Sequence, residues 1–395
     1  MTAGPPIDLS RLRALVEKHH EAYLEDLRTT VDIDCGTFVP EGVNRVAALM
    51  EERFEESGWS VARHRHDPGP AESQLGDVLV ARVPGTGGQD GRRILLVGHM
   101  DTVFPAGTAS ERPFRVDGGR AYGPGVADMK GGLLAGLYAT RALQDADLDG
   151  FGSITYVCNP DEEIGSPFSS DIIGDLAKET DVCFVLESAR ENGAIVSARK
   201  GVKDFHVVYT GRAAHAGVEP ERGRSATLQA AHATIALHEL NGRWPGVTVN
   251  VGVVHGGTRP NVVAERCELQ VDLRAPTQAT YDEAAAEIER IARTIAVDGV
   301  TVEIGSRSSF APMEKLPATA ALVERAVALA RDLGFELSDA TTGGGSDANG
   351  IAAMGVPTLD GLGPVGGAPH SPEEWLDLDS VVPRMTLLAA MIASA

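Results

Sequence analysis

Residues 154–165 read ITYVCNPDEEIG, an apolar run that gives way to a turn and three carboxylates. The apolar and β-branched residues up to Cys158 predict a buried strand, which ends at Pro160 because proline has no N–H for the next ladder bond. Neighbouring side chains on an extended segment point to opposite sides, so we expect different roles for Glu162 and Glu163. Taken alone, the stretch is more typical of an acidic surface turn than of a functional site, and the segments around it have to decide between the two interpretations.

The composition is that of a globular protein, with 43% hydrophobic and 23% charged residues. A chain of 395 residues is longer than one ordinary hydrophobic core supports, so two domains are expected. The formal charge of −21 repels the phosphates of nucleic acids and therefore disfavours nucleic acid as a partner.

Several features predict a cytoplasmic protein without a membrane partner. The N-terminal segment lacks the apolar stretch of a signal peptide, and no later stretch is apolar enough to span a bilayer. The cysteines form no C-x-x-C pair, which favours buried free thiols over disulfides or a cysteine metal site. These cysteines are Cys35, Cys158, Cys183 and Cys267.

Histidine and carboxylate residues follow two further strand-like runs. Residues 93–98 form an apolar run typical of a strand buried on both faces, and His99 and Asp101 come directly after it. Glu187 follows a similar run at residues 181–186. A single histidine near a strand end is usually structural, but ligands of open α/β sheets bind at the carboxyl ends of the strands. These side chains are therefore candidates for a functional site.

Two more candidates lie on glycine-rich loops. Asp128 precedes a helix predicted for residues 129–144, where an aspartate commonly serves as the N-cap. The glycines around it allow a closer approach of the backbone than a cap requires, and its two oxygens can bridge two cations. His370 lies on the second loop, Gly366–Glu374. Two histidines and several carboxylates at the ends of strands and helices suit zinc or a similar divalent ion.

Residues 202–308 have a pattern of their own. They predict the order strand, helix, strand, strand, helix, strand, which is the ferredoxin-like arrangement. We interpret this segment as a domain inserted into the first one. The predicted boundaries are residues 1–200 and 310–395 for a discontinuous catalytic domain and residues 201–309 for the inserted domain.

Several motifs occur along the chain in the order in which one enzyme family has them: GHMDTV, GPGVADMKGG, NPDEEIGS, TGRAAHAG, NVV, TGGGSDA and APHSPEE. With these motifs the sequence resembles the di-zinc amidohydrolases of the acetylornithine deacetylase, succinyl-diaminopimelate desuccinylase and aminoacylase family. Within it, the sequence is most similar to the bacterial glutamate carboxypeptidases. The resemblance implies an α/β fold: a zinc-peptidase catalytic domain with a mixed β-sheet between helices, and an inserted ferredoxin-like lid and dimerisation domain.

The resemblance also implies a metal centre with two Zn²⁺ per subunit, for which Co²⁺ or Mn²⁺ can substitute. In this arrangement Asp128 bridges the two ions. His99 and Glu187 are the other ligands of the first ion, and Glu163 and His370 are the other ligands of the second.

Catalytic and substrate-binding residues are implied in the same way. Glu162 is the general base, Asp101 orients His99, and His215 reaches into the site of the partner subunit of a homodimer to help hold the oxyanion. The residues implied to bind the substrate are Asn261, Arg274, Arg307, Gly344, Gly345 and Ser346. After Glu187 the sequence lacks the proline usual in the carboxypeptidases, and no lysine matches their glutamate-binding position, for which Arg190 is the candidate substitute.

We expect a zinc-dependent, carboxypeptidase-like hydrolase. Its substrate would be the amide bond of an N-acyl or N-aminoacyl amino acid or short peptide, and release of C-terminal glutamate is one form of this activity. The alternatives are a deacetylase or desuccinylase of a biosynthetic pathway, or a dipeptidase. A catalytically inactive metal-binding scaffold is the alternative from another class. Glu162 argues against the scaffold, because a purely structural metal site does not need an acid beside its ligands.

Overall fold

A computed structural model of the chain describes residues 7–70 and 72–395, with all of their side chains except those of residues 307 and 308. The chain divides into two units, each formed by segments that are separate in sequence. The first unit lies within Met1–Ser197, Lys315–Thr341 and Ser346–Ala395, and the second comprises Ala198–Glu314 and Thr342–Gly345.

Helices and strands are numbered in chain order. The helices of the described residues are α1 Leu9–Val31, α2 Pro40–Glu56, α3 Thr108–Glu111, α4 Gly131–Asp145, α5 Ser170–Ala177, α6 Ala226–His238, α7 Gln278–Ala292, α8 Pro317–Asp332, α9 Asp347–Ala353 and α10 Val381–Ala393. None of these helices is both long enough and apolar enough to cross a membrane.

The strands are short in the loops and longer in the two main sheets. They are β1 Ser60–His64, β2 Val78–Pro84, β3 Arg93–His99, β4 Arg115–Asp117, β5 Arg120–Tyr122, β6 Ser153–Asn159, β7 Val182–Val185, β8 Ile195–Arg199, β9 Gly201–Thr210, β10 Thr248–Gly256, β11 Arg266–Ala275, β12 Thr301–Phe310, β13 Asp339–Thr342, β14 Thr358–Leu359, β15 Gly366–Gly367 and β16 Trp375–Asp377.

A six-stranded sheet forms the centre of the first unit, in the order β1-β2-β6-β3-β7-β14. Strands β1, β2 and β6 pair in antiparallel fashion, whereas β6, β3, β7 and β14 run parallel to one another. The sheet is therefore mixed, as the resemblance implies. The apolar run Ile94–Val97 of β3 is buried because this strand lies in the interior of the sheet. Helices α1, α4 and α10 pack against one another in the same core.

The parallel strands bring several loops to one edge of this sheet. His99 at the end of β3 pairs with Asn159 at the end of β6, and Val97 of β3 pairs with Val185 of β7. The segments that leave β3, β6 and β7 therefore start side by side. The polar residues on these segments can meet at the carboxyl edge of the sheet, where ligands of open α/β sheets bind.

The second unit is built on a four-stranded antiparallel sheet in the order β10-β11-β9-β12. Its elements follow one another as strand, helix, strand, strand, helix, strand. Helices α6 and α7 pack on the sheet, and alternate residues of β9, namely Phe205, Val207 and Tyr209, are buried in this unit's core. The roles of this unit as a lid and as a dimerisation domain stay predictions.

Two local details differ from what the sequence led us to expect. Glu162–Ile164 form a single 3-10 turn instead of an extended segment, so the expectation that the two glutamates point to opposite sides does not apply. Helix α4 begins at Gly131 instead of residue 129, because the backbones of Asp128 (φ −115°, ψ 89°) and Met129 (φ −131°, ψ 35°) are not helical. The four cysteines are unpaired and buried, as expected.

Two helical glycines, Gly132 and Gly174, form a matched pair of positions for testing how closely α4 packs against the end of β7. A Cβ on Gly132 in α4 would lie 1.7 Å from the carbonyl oxygen of Leu186, whereas a Cβ on Gly174 in α5 would meet nothing within 4 Å. We expect Gly132→Ala to lower the free energy of unfolding by about 1–3 kcal/mol, because the backbone has to move. Gly174→Ala should raise it by about 0.5–1 kcal/mol, because alanine favours helix. Urea unfolding measures both, and equal effects would contradict the close approach of α4 to the end of β7.

Candidate metal site and catalytic residues

His99 is held in a fixed orientation at the end of β3. Its side chain is buried, and its Nδ1 lies 3.0 Å from the backbone oxygen of Asp101. When Nδ1–H donates to this carbonyl, Nε2 presents its lone pair to the opposite side. There Nε2 lies 3.2 Å from Asp128 Oδ1 and 3.5 Å from Glu187 Oε1. This is the orientation of a histidine that binds a metal through Nε2.

Asp128 faces two imidazoles with its two carboxylate oxygens. Oδ1 lies 3.2 Å from His99 Nε2, and Oδ2 lies 3.1 Å from His370 Nε2. His370 Nε2 is also 3.2 Å from Glu163 Oε2. Asp128 therefore lies between two pairs of side chains. One pair is His99 and Glu187, and the other is His370 and Glu163. Its side chain does not cap α4.

Asp101 supports the site through both its backbone and its carboxylate. The carboxylate is fully buried, and its Oδ2 accepts a 2.6 Å hydrogen bond from Thr37 Oγ1. It also accepts 3.2 Å bonds from the backbone N–H groups of Glu162 and Glu163. These bonds explain why the segment after β6 closes into a turn. Asp101 therefore fixes the position of both glutamates relative to His99.

The donor set fits divalent metal ions. Two groups of side chains have ligand atoms within 4.8 Å of one another, one formed by His99, Asp128 and Glu163 and the other by His99, Glu162 and Glu187. Glu163 Oε1 is buried and makes no hydrogen bond within the described residues. A buried carboxylate oxygen without a partner is costly, and a cation beside it would remove that cost. Imidazole and carboxylate ligands are those that zinc prefers.

The pKa values of the cluster show how strongly its charges interact. Burial raises the pKa of Glu162 well above its usual range and that of Glu187 to about 7. Hydrogen bonds to Asp128 and Glu163 raise the pKa of His370 to about 10. Burial acts to raise the pKa of Asp128, but the hydrogen bonds from His370 and His99 outweigh it and the pKa is lowered. The carboxylates thus oppose one another's ionisation, and positive charge stabilises them.

His215 and Asn261 lie next to each other in the second unit. The backbone N–H of Ala216 donates a 3.0 Å hydrogen bond to the carbonyl of Asn261. The side chain of His215 is exposed, and its Nδ1 accepts a 3.2 Å bond from the N–H of Gly217. Nε2 of His215 is therefore the nitrogen that carries the proton and can donate it.

Arg274 has partners inside its own unit. Its Nη2 lies 2.8 Å from Asp272 Oδ2, and its Nη1 donates a 3.1 Å hydrogen bond to the carbonyl of Gly343. The next carbonyls of this glycine run, those of Gly344 and Gly345, accept bonds from Arg199 at 3.0 and 3.3 Å. The carbonyls of the run are thus held by two arginines.

The two remaining substrate-binding candidates are Ser346 and Arg307. Ser346 belongs to the first unit, where its N–H donates to Asn349 Oδ1 at 3.0 Å and its hydroxyl donates to Asp360 Oδ2 at 2.7 Å. These bonds engage its polar groups inside the protein. The side chain of Arg307 lies outside the described residues.

Three supporting residues were missed in the sequence: Thr37, Asp347 and Glu374. Asp347 accepts 2.6 Å hydrogen bonds from Asn159 Nδ2 and Ser166 Oγ, on the two sides of the turn that carries the glutamates. Asp347 lies in the motif TGGGSDA and Glu374 in APHSPEE, but their partners are far away in the sequence, so spacing does not reveal them. Thr37 lies in none of the motifs, so nothing in the sequence pointed to its contact with Asp101.

Residues 95–394 match the family described as Peptidase family M20/M25/M40. The chain belongs to this family. Carboxypeptidase G2 of Pseudomonas sp. (strain RS-16) is 30% identical to it over 94% of this chain and 88% of the relative. The succinyl-diaminopimelate desuccinylase of Thioalkalivibrio sulfidiphilus is 28% identical over 74% of this chain and 82% of the relative. The resemblance drawn from the motifs is confirmed, and this M20 enzyme is a metal-dependent hydrolase of peptide or amide bonds.

Solved structures of other proteins have the same fold. An aminopeptidase from Bacillus cereus superposes with a TM-score of 0.76 at 24% identity, covering 95% of this chain and 98% of the other. An M20 family metallo-carboxypeptidase from Sulfolobus solfataricus gives a TM-score of 0.72 at 16% identity, covering 94% and 98%. At these identities the likeness concerns the fold, and it confirms the predicted mixed α/β class.

Metal uptake by this M20 enzyme should depend steeply on pH. A ligand must lose its proton before it binds a cation, and the pKa of His370 is raised to about 10 and that of Glu187 to about 7. Protons therefore compete with the metal throughout the neutral range. We expect the affinity of the metal-free protein for Zn²⁺ to rise between about pH 6 and pH 8, by about tenfold per pH unit for each proton displaced.

Isothermal titration calorimetry in buffers with different ionisation enthalpies measures both the affinity and the number of protons released. An affinity that is the same across this range, with no proton release, would contradict the assignment of these residues as ligands.

Proposed function

We propose that the chain is a carboxypeptidase-like zinc amidohydrolase. It cleaves the amide bond of an N-acyl or N-aminoacyl amino acid or short peptide that has a free carboxylate. Each subunit takes two Zn²⁺, with Co²⁺ or Mn²⁺ as substitutes. His99 and Glu187 hold one ion, His370 and Glu163 hold the other, and Asp128 holds both. The observation that supports this arrangement best is that the two oxygens of Asp128 face the Nε2 atoms of two different histidines, at 3.2 and 3.1 Å.

When bound, such ions supply Lewis-acid polarisation of the scissile carbonyl and lower the pKa of a water molecule. Glu162 then accepts a proton from the attacking water and transfers it to the leaving nitrogen, acting first as general base and then as general acid. Asp101 holds the turn that carries Glu162, so the base stays at a fixed distance from the ligands.

The proposal also includes a hydrogen-bond donor for the oxyanion, which a homodimer supplies. His215 of the partner subunit donates a hydrogen bond to the developing oxyanion through Nε2. Exposed apolar residues in the second unit support an interface there: Leu228 and Ile235 on α6, and Val253 and Val254 on β10. Strand β10 is also an edge of its sheet, which leaves backbone groups for pairing with a second copy.

The proposed substrate carboxylate binds in the second unit. Asn261, Arg274 and the N–H groups of Gly344 and Gly345 are its candidates, together with Arg307. Ser346 is a weaker one, because its N–H already donates to Asn349. The relative named carboxypeptidase G2 supports a carboxypeptidase. The relatives named as a desuccinylase and an acetylornithine deacetylase support the second candidate function, hydrolysis of a biosynthetic N-acyl amino acid. For either function the proposed location is the cytoplasm.

Replacing the proposed base should separate catalysis from metal binding. We expect Glu162→Gln to bind Zn²⁺ like the parent and to lose about 10²–10⁴-fold in kcat, because the amide cannot accept the proton of the water. The assay is a hydrolysis panel of N-acetyl, N-succinyl and N-aminoacyl amino acids and of folate-like glutamates, each with Zn²⁺ or Co²⁺ added. Release confined to C-terminal glutamate would favour the carboxypeptidase over the deacetylase.

The matched control is Glu179→Gln, an exposed glutamate beyond the end of α5. It should retain the parent's activity. If Glu162→Gln hydrolysed the best substrate as fast as the parent does, the catalytic assignment would fail. A parent that bound zinc but cleaved nothing on the panel would point to the scaffold instead.

A shared site predicts complementation between two inactive variants. In a mixed dimer of Glu162→Gln and His215→Ala chains, one of the two sites combines an intact Glu162 with an intact His215 from the other chain. We therefore expect activity to appear when the two variants are unfolded together and refolded, although neither variant is active by itself. Hydrolysis rates before and after mixing measure this effect.

The surface variants Ile235→Lys and Val116→Lys provide the control for assembly. Both side chains are exposed, at 63% and 52%, but only Ile235 lies on the proposed interface. In analytical ultracentrifugation we expect Ile235→Lys to be monomeric and Val116→Lys to be dimeric. A fully active monomer, or mixtures that stay inactive, would exclude the shared site.

A further inference from the structure

Glu374 is a buried carboxylate whose hydrogen bonds, within the described part of the chain, all come from backbone of the loop that carries Asp128. It is 1% exposed, and it accepts hydrogen bonds from the N–H groups of Gly125 at 2.9 Å, Ala127 at 2.8 Å and Asp128 at 2.9 Å. No motif assigns it a role, and the mechanism above does not use it. Three short bonds to one ion are the pattern of an anion that holds a loop in a single conformation.

The loop needs such a support because its backbone is irregular. Gly125 has a positive φ of 74°, and Asp128 has φ −115° and ψ 89°, so the N–H groups of this loop are not paired as in a regular helix. The N–H of Val126 donates to the carbonyl of Gly123 at 3.2 Å, whereas those of Gly125, Ala127 and Asp128 need other acceptors. The carboxylate of Glu374 satisfies three of them at once. Lys130 supports the same loop as a hydrogen-bond donor. Its buried ammonium donates to the carbonyls of Pro124 and Ile33 at 3.0 and 3.1 Å.

Glu374 also links this loop to the one that carries His370. The two residues lie on the same segment, immediately before β16, whose Trp375 pairs with Tyr122 of β5. His370 Nε2 meets the carboxylate of Asp128, and Glu374 meets its backbone N–H. Asp128 is thus bonded to one segment through both its side chain and its main chain.

We propose that Glu374 is a positioning residue for the metal centre, which sets the distance between the carboxylate of Asp128 and the imidazole of His370. The inference rests on the proposed function, because it concerns the ligands of that site. Glu374 itself does not bind the metal, as its oxygens are occupied by the three N–H groups. Its effect falls on the half of the cluster formed by His370, Glu163 and Asp128, and less on the half formed by His99 and Glu187.

A glutamine cannot replace this carboxylate. Its single carbonyl oxygen can accept from two of the N–H groups, and its amide NH₂ would face the third one, donor against donor. The loop therefore has to shift, and the shift is transmitted directly to Asp128. Loss of a residue that orients a ligand typically lowers metal affinity by about 10–100-fold.

The test uses the full chain stripped of metal and titrated with Co²⁺, whose absorption spectrum reports the ligand geometry. We expect Glu374→Gln to bind the Co²⁺ of the His370 half about 10–100-fold more weakly than the parent, with an altered spectrum for that ion. The Co²⁺ of the His99 half shares only Asp128 with it and should be weakened by a smaller factor. Hydrolysis should recover when Co²⁺ is added in excess, which a general loss of structure would not allow. The matched control is the neighbouring Glu373→Gln, whose side chain is exposed and which should behave like the parent.

Equal Co²⁺ affinities and spectra of Glu374→Gln and the parent would overturn the inference. If the parent itself took up no Co²⁺, the proposed function would fail instead, so the two failures are distinguishable. If Glu374→Gln does not fold, amide hydrogen exchange in the metal-free parent tests the inference instead. Slow exchange of the amides of Gly125, Ala127 and Asp128 supports the inference, and exchange as fast as in an open loop overturns it.

Discussion

The burial of several carboxylates at the carboxyl edge of the first unit's sheet governs the arrangement of the site. Asp128, Glu162, Glu163 and Glu187 lie around the buried His99, and the more exposed His370 closes the cluster on one side. Each buried charge costs several kcal/mol, on the order of the whole stability of a domain when summed. Raised pKa values for Glu162 and Glu187 express that cost in the metal-free protein. A cluster of this kind is stable when cations are shared among its members, which is what a metal-dependent hydrolase requires.

The surrounding structure is arranged to keep these charges in place. The parallel strands β3, β6 and β7 start three of the site's segments side by side, and Gly132 lets α4 approach the end of β7 closely. Buried polar side chains then fix each segment: Asp101 holds the glutamate turn, and Glu374 holds the loop of Asp128. Asp101 and Glu374 bond mainly to backbone N–H groups, so they fix loop geometry without competing for the positions that the ligands occupy.

Much of the fold and of the candidate site could be predicted because the signals are local. The apolar run of β3 and the alternating burial of β9 reveal their strands, since the period of the side chains follows from the backbone geometry. His99, Asp128 and His370 lie in motifs whose residue types suit a metal. The supporting residues could not be found in this way. Thr37 reaches Asp101, and Asp347 reaches Asn159, through hydrogen bonds between positions that are far apart in the chain.

The strand-helix order of the inserted segment and the residue types of a metal site could be predicted from the sequence alone, because they depend on local periodicity and on the chemistry of single side chains. The mixed α/β class and the hydrolase activity were implied by the resemblance of the motifs to a family. Only the tertiary structure decided that Glu162–Ile164 is a turn, that Asp128 faces two imidazoles instead of capping α4, and that the N–H of Ser346 is already engaged. The physical reason is that each of these outcomes is a choice between hydrogen-bond partners, and the partners meet only when distant segments pack.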